Sequence, residues 1–239
     1  MGRVVTFAEL AGNGAGEGVS IAPITAGETP EMAAEYIRIS PGKRWTASAP
    51  RGSDCYLFAL SGKADIAAGE ARQRFAAQTF ATVQEGVDFS VSNSGTAPVD
   101  VVKVIAPPQG GARQPGFSGR IDVAERAKTP VVPVPAERKQ RIYFAGGHGA
   151  QTERGHAMIV VYDGQTNTAL HHHPNADSMF VLLDGAVEFT INGEQVVVKP
   201  GQAAYFPTND RHGLHTAPGH TGASFLEFHI PAAFTTVKA

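Results

Sequence analysis

Cysteine is nearly missing from this chain. One residue in 239, Cys55, carries a thiol, which excludes an intrachain disulfide framework and any cysteine-ligated zinc site. It reads as a small buried apolar side chain and fits a reducing compartment. Charge of one sign is missing as well. With 20 basic and 22 acidic side chains, a formal balance of -2, there is no electrostatic footprint for nucleic acid or an anionic membrane surface. No apolar run approaches membrane-spanning length, and the opening MGRVVTFAELAGNGAGEG lacks the apolar core of a signal peptide. A cytoplasmic protein with a small-molecule partner is expected. Histidine is missing from the first half: all nine lie between His148 and His229.

What is present is strand. After one short helical turn around Thr6 to Leu10 and a Gly-rich, flexible stretch, short runs of β-branched and aromatic residues alternate with Gly, Pro, Asn and Asp: EYIRISPG, CYLFALSG, TFATVQEG, VDVVKVIAPP. Such a pattern predicts an all-β sandwich or barrel. Residues 107–140, containing PPQGGARQPGFSG and KTPVVPVPAERKQ, break it with prolines that remove the backbone donors a central strand needs. They read as a Pro/Gly-rich connection between an N-terminal barrel (1–106) and a C-terminal barrel (141–239).

The two halves align with each other. CYLFALSG, ending at Gly62, matches SMFVLLDG, ending at Gly185, an offset of 123 residues. On that offset Ser48, Pro50 and Phe89 fall on His171, His173 and His212, so the first half keeps the strand rhythm and loses every histidine. The C-terminal half is expected to hold the chemistry.

Chemistry concentrates in LHHHPNADSMFVLLDG, Leu170 to Gly185. Side chains alternate along a strand, so His171 and His173 share a face and His172 takes the other. Further on, GQAAYFPTNDRHGLHT supplies His212. Gly201, Pro207 and His212 stand at the spacing of the second cupin motif, with Asn209 in place of its glycine and Thr216 in place of its asparagine. His171, His173 and Gly185 match the first motif. The C-terminal half thus resembles a cupin, and the repeat makes the whole chain resemble a bicupin, two tandem jelly-roll (double-stranded β-helix) barrels with a metal site in the second alone.

That resemblance implies metal ligands His171, His173 and His212. The family's acidic ligand falls on Asp177 or Ser178, according to the direction of counting, and strand alternation lets only one of them face the ion. Neutral imidazoles suit first-row divalent ions and leave coordination positions open. One ion per chain is expected, iron(II) favoured, with manganese(II) or zinc(II) as alternatives. Glu227 and His229, on one face of FLEFHIP, are candidate catalytic cavity residues. His156 shares a face with Met158, Val160 and Tyr162, while Arg211, His215 and His220 read as surface or rim.

Three functions follow. A three-histidine site resembles cupin dioxygenases acting on anionic, chelating substrates. A bicupin with a silent first barrel also resembles the ureidoglycine aminohydrolases, which implies a manganese- or zinc-dependent hydrolase or isomerase with Glu227 or Asp177 carrying a proton. A non-enzymatic small-molecule-binding cupin is the third. Strands apolar on both faces, MIVVY and MFVLL, lead to an expected homodimer or higher homo-oligomer.

Overall fold

Strand-forming runs closed by residues that accept unusual backbone angles set the architecture. A computed structural model describes residues 1–11, 18–25, 27, 29–111 and 114–239. The Gly-rich stretch expected to be flexible lies mostly outside the described residues. The expected helical turn is α1 (Phe7–Ala11). The first strands are β1 (Arg3–Thr6), β2 (Val19–Pro23), β3 (Ala33–Ile39), β4 (Arg44–Ser48), β5 (Asp54–Ser61), β6 (Lys63–Ala68), β7 (Ala71–Ala76), β8 (Thr79–Val83), β9 (Asp88–Asn93), β10 (Val99–Ala106) and β11 (Ile121–Glu125). They are followed by β12 (Val132–Val134), β13 (Lys139–Ala145), β14 (His156–Asp163), β15 (Asn167–His172), β16 (Asp177–Gly185), β17 (Val187–Ile191), β18 (Glu194–Val198), β19 (Gln202–Phe206), β20 (His212–Thr216), β21 (Gly222–Ile230) and β22 (Val237–Lys238).

The chain forms two units, residues 8–129 with 150–154 and residues 1–7 with 130–149 and 155–239. In the first, sheets run β11-β8-β5-β10-β3-β2 and β4-β9-β6-β7. In the second they run β1-β19-β16-β21-β14-β13-β12 and β18-β17-β20-β15-β22. The same order recurs, β5 answering to β16, β8 to β19 and β10 to β21, with β12 and β22 added at the sheet edges of the second unit. The fold is all-β, two tandem jelly-roll barrels.

Compared with a linear division at 106 and 141, the units are interleaved. β1 pairs antiparallel with β19, at the edge that β11 occupies in the other unit. The Pro/Gly-rich connection itself contributes strands: β11 pairs with β8 and β12 with β13. Pro133 is accommodated because β12 is an edge strand, where a missing N–H leaves no ladder bond unmade.

Each unit closes around its own core. In the first, Trp45, Leu57, Ile66, Phe75, Phe89 and Val101 are among the buried residues. Trp45 meets Phe89 edge-on at 5.5 Å, and Lys103, ion-paired with Glu35 at 2.5 Å, lies over the Trp45 ring. In the second, Phe180, Phe189, Phe206 and Phe225 pack with Val160 and Leu182. Full burial of one such side chain stabilises by roughly 1.5–3 kcal/mol, so these clusters rather than the ladders set where the barrel walls meet. Gly185 ends β16 at φ 68°, and a Cβ there would lie 2.2 Å from the Gly222 carbonyl oxygen. Only glycine fits this close turn.

Candidate metal centre

His171 sits on β15 directly opposite His212 on β20. A register shift between Thr168 and His171 inserts an extra residue and swings the end of β15 toward the interior. The regular strand β4 has no such bulge, and there Ala47, not Ser48, stands opposite Phe89. The expected equivalence of Ser48 with His171 is corrected by that one residue. His173 follows just past the strand end, in the turn beginning with Pro174. Asn209 N–H donates to its carbonyl at 2.8 Å. Asn209 has φ 69°, a left-handed conformation that asparagine tolerates where glycine is usual.

One ligand nitrogen from each of His171, His173 and His212 lies within 4.8 Å of the other two. Among the described residues this is the one group of its kind. Each Nδ1 is committed to a backbone carbonyl: His171 to Ala169 at 2.8 Å, His173 to Thr235 at 2.9 Å, His212 to Asp210 at 3.1 Å. A carbonyl only accepts, so each Nδ1 carries the proton and each Nε2 presents its lone pair. Nε2 of His173 and of His212 is buried with no hydrogen-bond partner among the described residues. Buried polar atoms are rarely left so, and a divalent cation satisfies them. Burial also holds the rings neutral: it lowers His173 to about 4 and His212 to about 3, and depresses His171. Phe206 stacks on His212 at 4.3 Å.

Asp177 does not join the histidines. Ser178 pairs across the ladder with His229 and Phe206, both buried in the barrel, so its neighbour Asp177 faces away. Asp177 is fully buried, its Oδ2 accepting from Tyr205 OH at 2.9 Å and its Oδ1 from Thr208 N–H at 2.9 Å and Thr208 Oγ at 3.0 Å. The repeat supports a structural part for it. Asp54, its counterpart in the histidine-free barrel, is equally buried and accepts from Tyr56, Thr152, Arg154 and the Phe117 amide.

Ser178, on the opposite face of β16 from Asp177, opens a hydrogen-bonded chain. Ser178 Oγ and His229 Nδ1 are 3.0 Å apart, and His229 Nε2 is 2.5 Å from Glu227 Oε1. With Nε2–H donating to the carboxylate, Nδ1 of His229 is left to accept the Ser178 hydroxyl. Burial works to raise Glu227, but the His229 bond with the charges of His229, Lys139 and His156 holds it down at about 2. Glu227 and His229 line, with His156, His171 and His173, a cavity of about 910 Å³. His229 meets His173 edge-on at 4.7 Å and stacks on Phe234 at 3.9 Å.

His172 points away from the group and pairs in register with Val237. Arg211 and His220 are exposed, and His215 bonds Glu188 at 3.1 Å near the surface. Cys55 is buried. Sequence reasoning missed Phe234, the Thr235 carbonyl, and Lys139, Arg141 and Tyr143 on the cavity wall. The alternation in KQRIY was a signal for the last three; nothing in the sequence marked the first two.

Residues 157–229 match the profile of the cupin domain family. The C-terminal unit is a cupin domain. Solved structures extend the likeness to the whole chain at the level of fold. A variant of salicylate 1,2-dioxygenase from Pseudoaminobacter salicylatoxidans, in complex with gentisate, is 14% identical, with TM-score 0.79 over 99% of this chain and 85% of that one. YlbA from E. coli is 10% identical, with TM-score 0.76 over 96% and 90%. A Bacillus subtilis oxalate decarboxylase variant is 12% identical, with TM-score 0.71 over 98% and 78%. No curated protein matches the sequence. In this chain the first barrel repeats the strand order without the histidines, and among the described residues no helix is long and apolar enough to cross a membrane.

Proposed function

We propose that the C-terminal cupin is the catalytic half of a metal-dependent enzyme acting on a small organic substrate, an iron(II) dioxygenase with His171, His173 and His212 as ligands. The observation that supports this is the convergence of three tautomer-fixed, neutral imidazoles with no carboxylate in the group. Three neutral ligands leave an iron(II) ion cationic and open, able to take a chelating anion and activate dioxygen. The chain's own residues do the rest. Phe206 and Phe180 hold the His212 ring from the apolar side, while Glu227 keeps a proton on His229 Nε2 within the cavity. The similarity in fold to a salicylate 1,2-dioxygenase supports the same reading.

A second reading, a manganese- or zinc-dependent hydrolase or isomerase, is favoured by one observation. The Ser178–His229–Glu227 chain places a proton carrier against the metal group. Oxygen consumption separates the two. Protein reconstituted with iron(II) and offered a series of small chelating acids consumes oxygen under the first reading. Turnover with manganese or zinc and no oxygen uptake overturns it in favour of the second.

A further inference from the structure

Strand β13 sets Lys139, Arg141 and Tyr143 on one face and Gln140, Ile142 and Phe144 on the other. Ile142 and Phe144 are buried, while Lys139, Arg141 and Tyr143 line the cavity that holds Glu227 and the histidines. Ladder partners fix their place. Tyr143 lies opposite Met158, which lies opposite Glu227, and Arg141 lies one step along, opposite Val160.

The Arg141 Nη2 donates to Glu137 Oε2 at 3.1 Å, and the Lys139 ammonium reaches the same oxygen. Nη1 of Arg141 is 3.5 Å from the Tyr143 hydroxyl. Its Nε is buried with no hydrogen-bond partner among the described residues. Lys139 and Arg141 are 13% and 26% exposed in their side chains, low for residues that normally stay in water. With Lys238 they give this cavity three cations against two carboxylates, and one of those, Glu227, is held by His229.

We propose that Lys139 and Arg141 form a subsite for a substrate carboxylate, so that the enzyme takes a small organic acid, anchored on β13 with its other donor atoms facing the three histidines. The inference rests on the reading of this cavity as the catalytic site. A carboxylate matches the planar fork of a guanidinium, and Glu137 already shows the two cations converging on a carboxylate oxygen. Two protein carboxylates in the same cavity disfavour a dianion, so one negative charge fits better than a phosphate.

The test is titration calorimetry on the full, metal-loaded chain. Its probes are the monoanions glycolate, lactate and mandelate, with mandelamide as a neutral isostere and inorganic phosphate as a dianion. At least one acid binds, mandelamide binds about tenfold or more weakly than mandelate if mandelate is bound, and Arg141→Gln weakens the bound acid about tenfold or more. Lys139→Gln weakens it less, added salt weakens it in the wild type, and Arg211→Gln, a change at a solvated arginine, leaves it unchanged. Metal content is measured in every sample. Unaltered acid binding in Arg141→Gln, no acid binding at all, or tighter binding of phosphate overturns the subsite. Each such result leaves the metal reading standing if His212→Ala alone loses metal. Should Arg141→Gln fail to fold, Arg141→Lys, which keeps the charge and loses the fork, carries the comparison.

Discussion

Asp177 and Ser178 are neighbours on β16 with opposite surroundings, and they show how much one residue of parity decides. Ser178 faces the imidazoles through His229, whereas Asp177 is locked to Tyr205 and Thr208. Asp177→Ala is therefore expected to leave metal content unchanged while destabilising the protein by about 2–4 kcal/mol, because Tyr205 and Thr208 lose a buried acceptor; denaturant unfolding with metal analysis of the same sample checks both. His156 gives a pH signature. Burial lowers it to about 4 from 6.5, so the unfolded chain takes up the proton first. Stability present above pH 6.5 is lost as pH falls toward 4. Unfolding of metal-free protein across that window is expected to show a shallower decline in His156→Gln than in the wild type. The convergence of His171 and His173 was legible from sequence because a period of two puts them on one face. Asp177 against Ser178 was not, since motif spacing cannot tell which of two adjacent residues points inward.

At the scale of elements, the strand runs and their Gly and Asn terminators were readable because pleat and turn chemistry are local. Pairing between distant segments was not. β1 was not anticipated, yet it closes the edge of the sheet that carries β19 and β16, with Phe7 N–H donating to the Gly201 carbonyl at 2.9 Å. Val5→Pro removes a backbone donor from that short ladder, since Val5 stands opposite Ala203 two residues from the bonded Phe7–Gly201 pair. It is expected to cost at least about 1 kcal/mol, read as a lower denaturant midpoint. The same limit hid the bulge in β15, which brings His171 opposite His212, and the C-terminal Phe234–Thr235 segment. No local pattern announces that a carbonyl sixty residues downstream will fix the tautomer of His173.

At the scale of the whole molecule, one strand order is used twice with different contents. In the first barrel Trp45 and Phe89 are buried, with the half-buried Lys103–Glu35 pair beside them, and the offset of 123 residues makes the loss of histidine visible from sequence. The second barrel keeps a cavity and three imidazoles whose free nitrogens converge. That residues 1–7 belong to the second unit and 150–154 to the first was invisible to composition, which reports segment by segment. The central claim, that the second barrel alone binds a metal through His171, His173 and His212, is tested most directly by elemental analysis. Untagged wild type and His212→Ala are each incubated with iron(II), manganese(II) and zinc(II) in turn and then desalted. The account predicts close to one ion per chain in the wild type with at least one of the three, and a near-complete loss in a folded His212→Ala. Equal metal content in the two proteins, or none in the wild type with any ion, would contradict it.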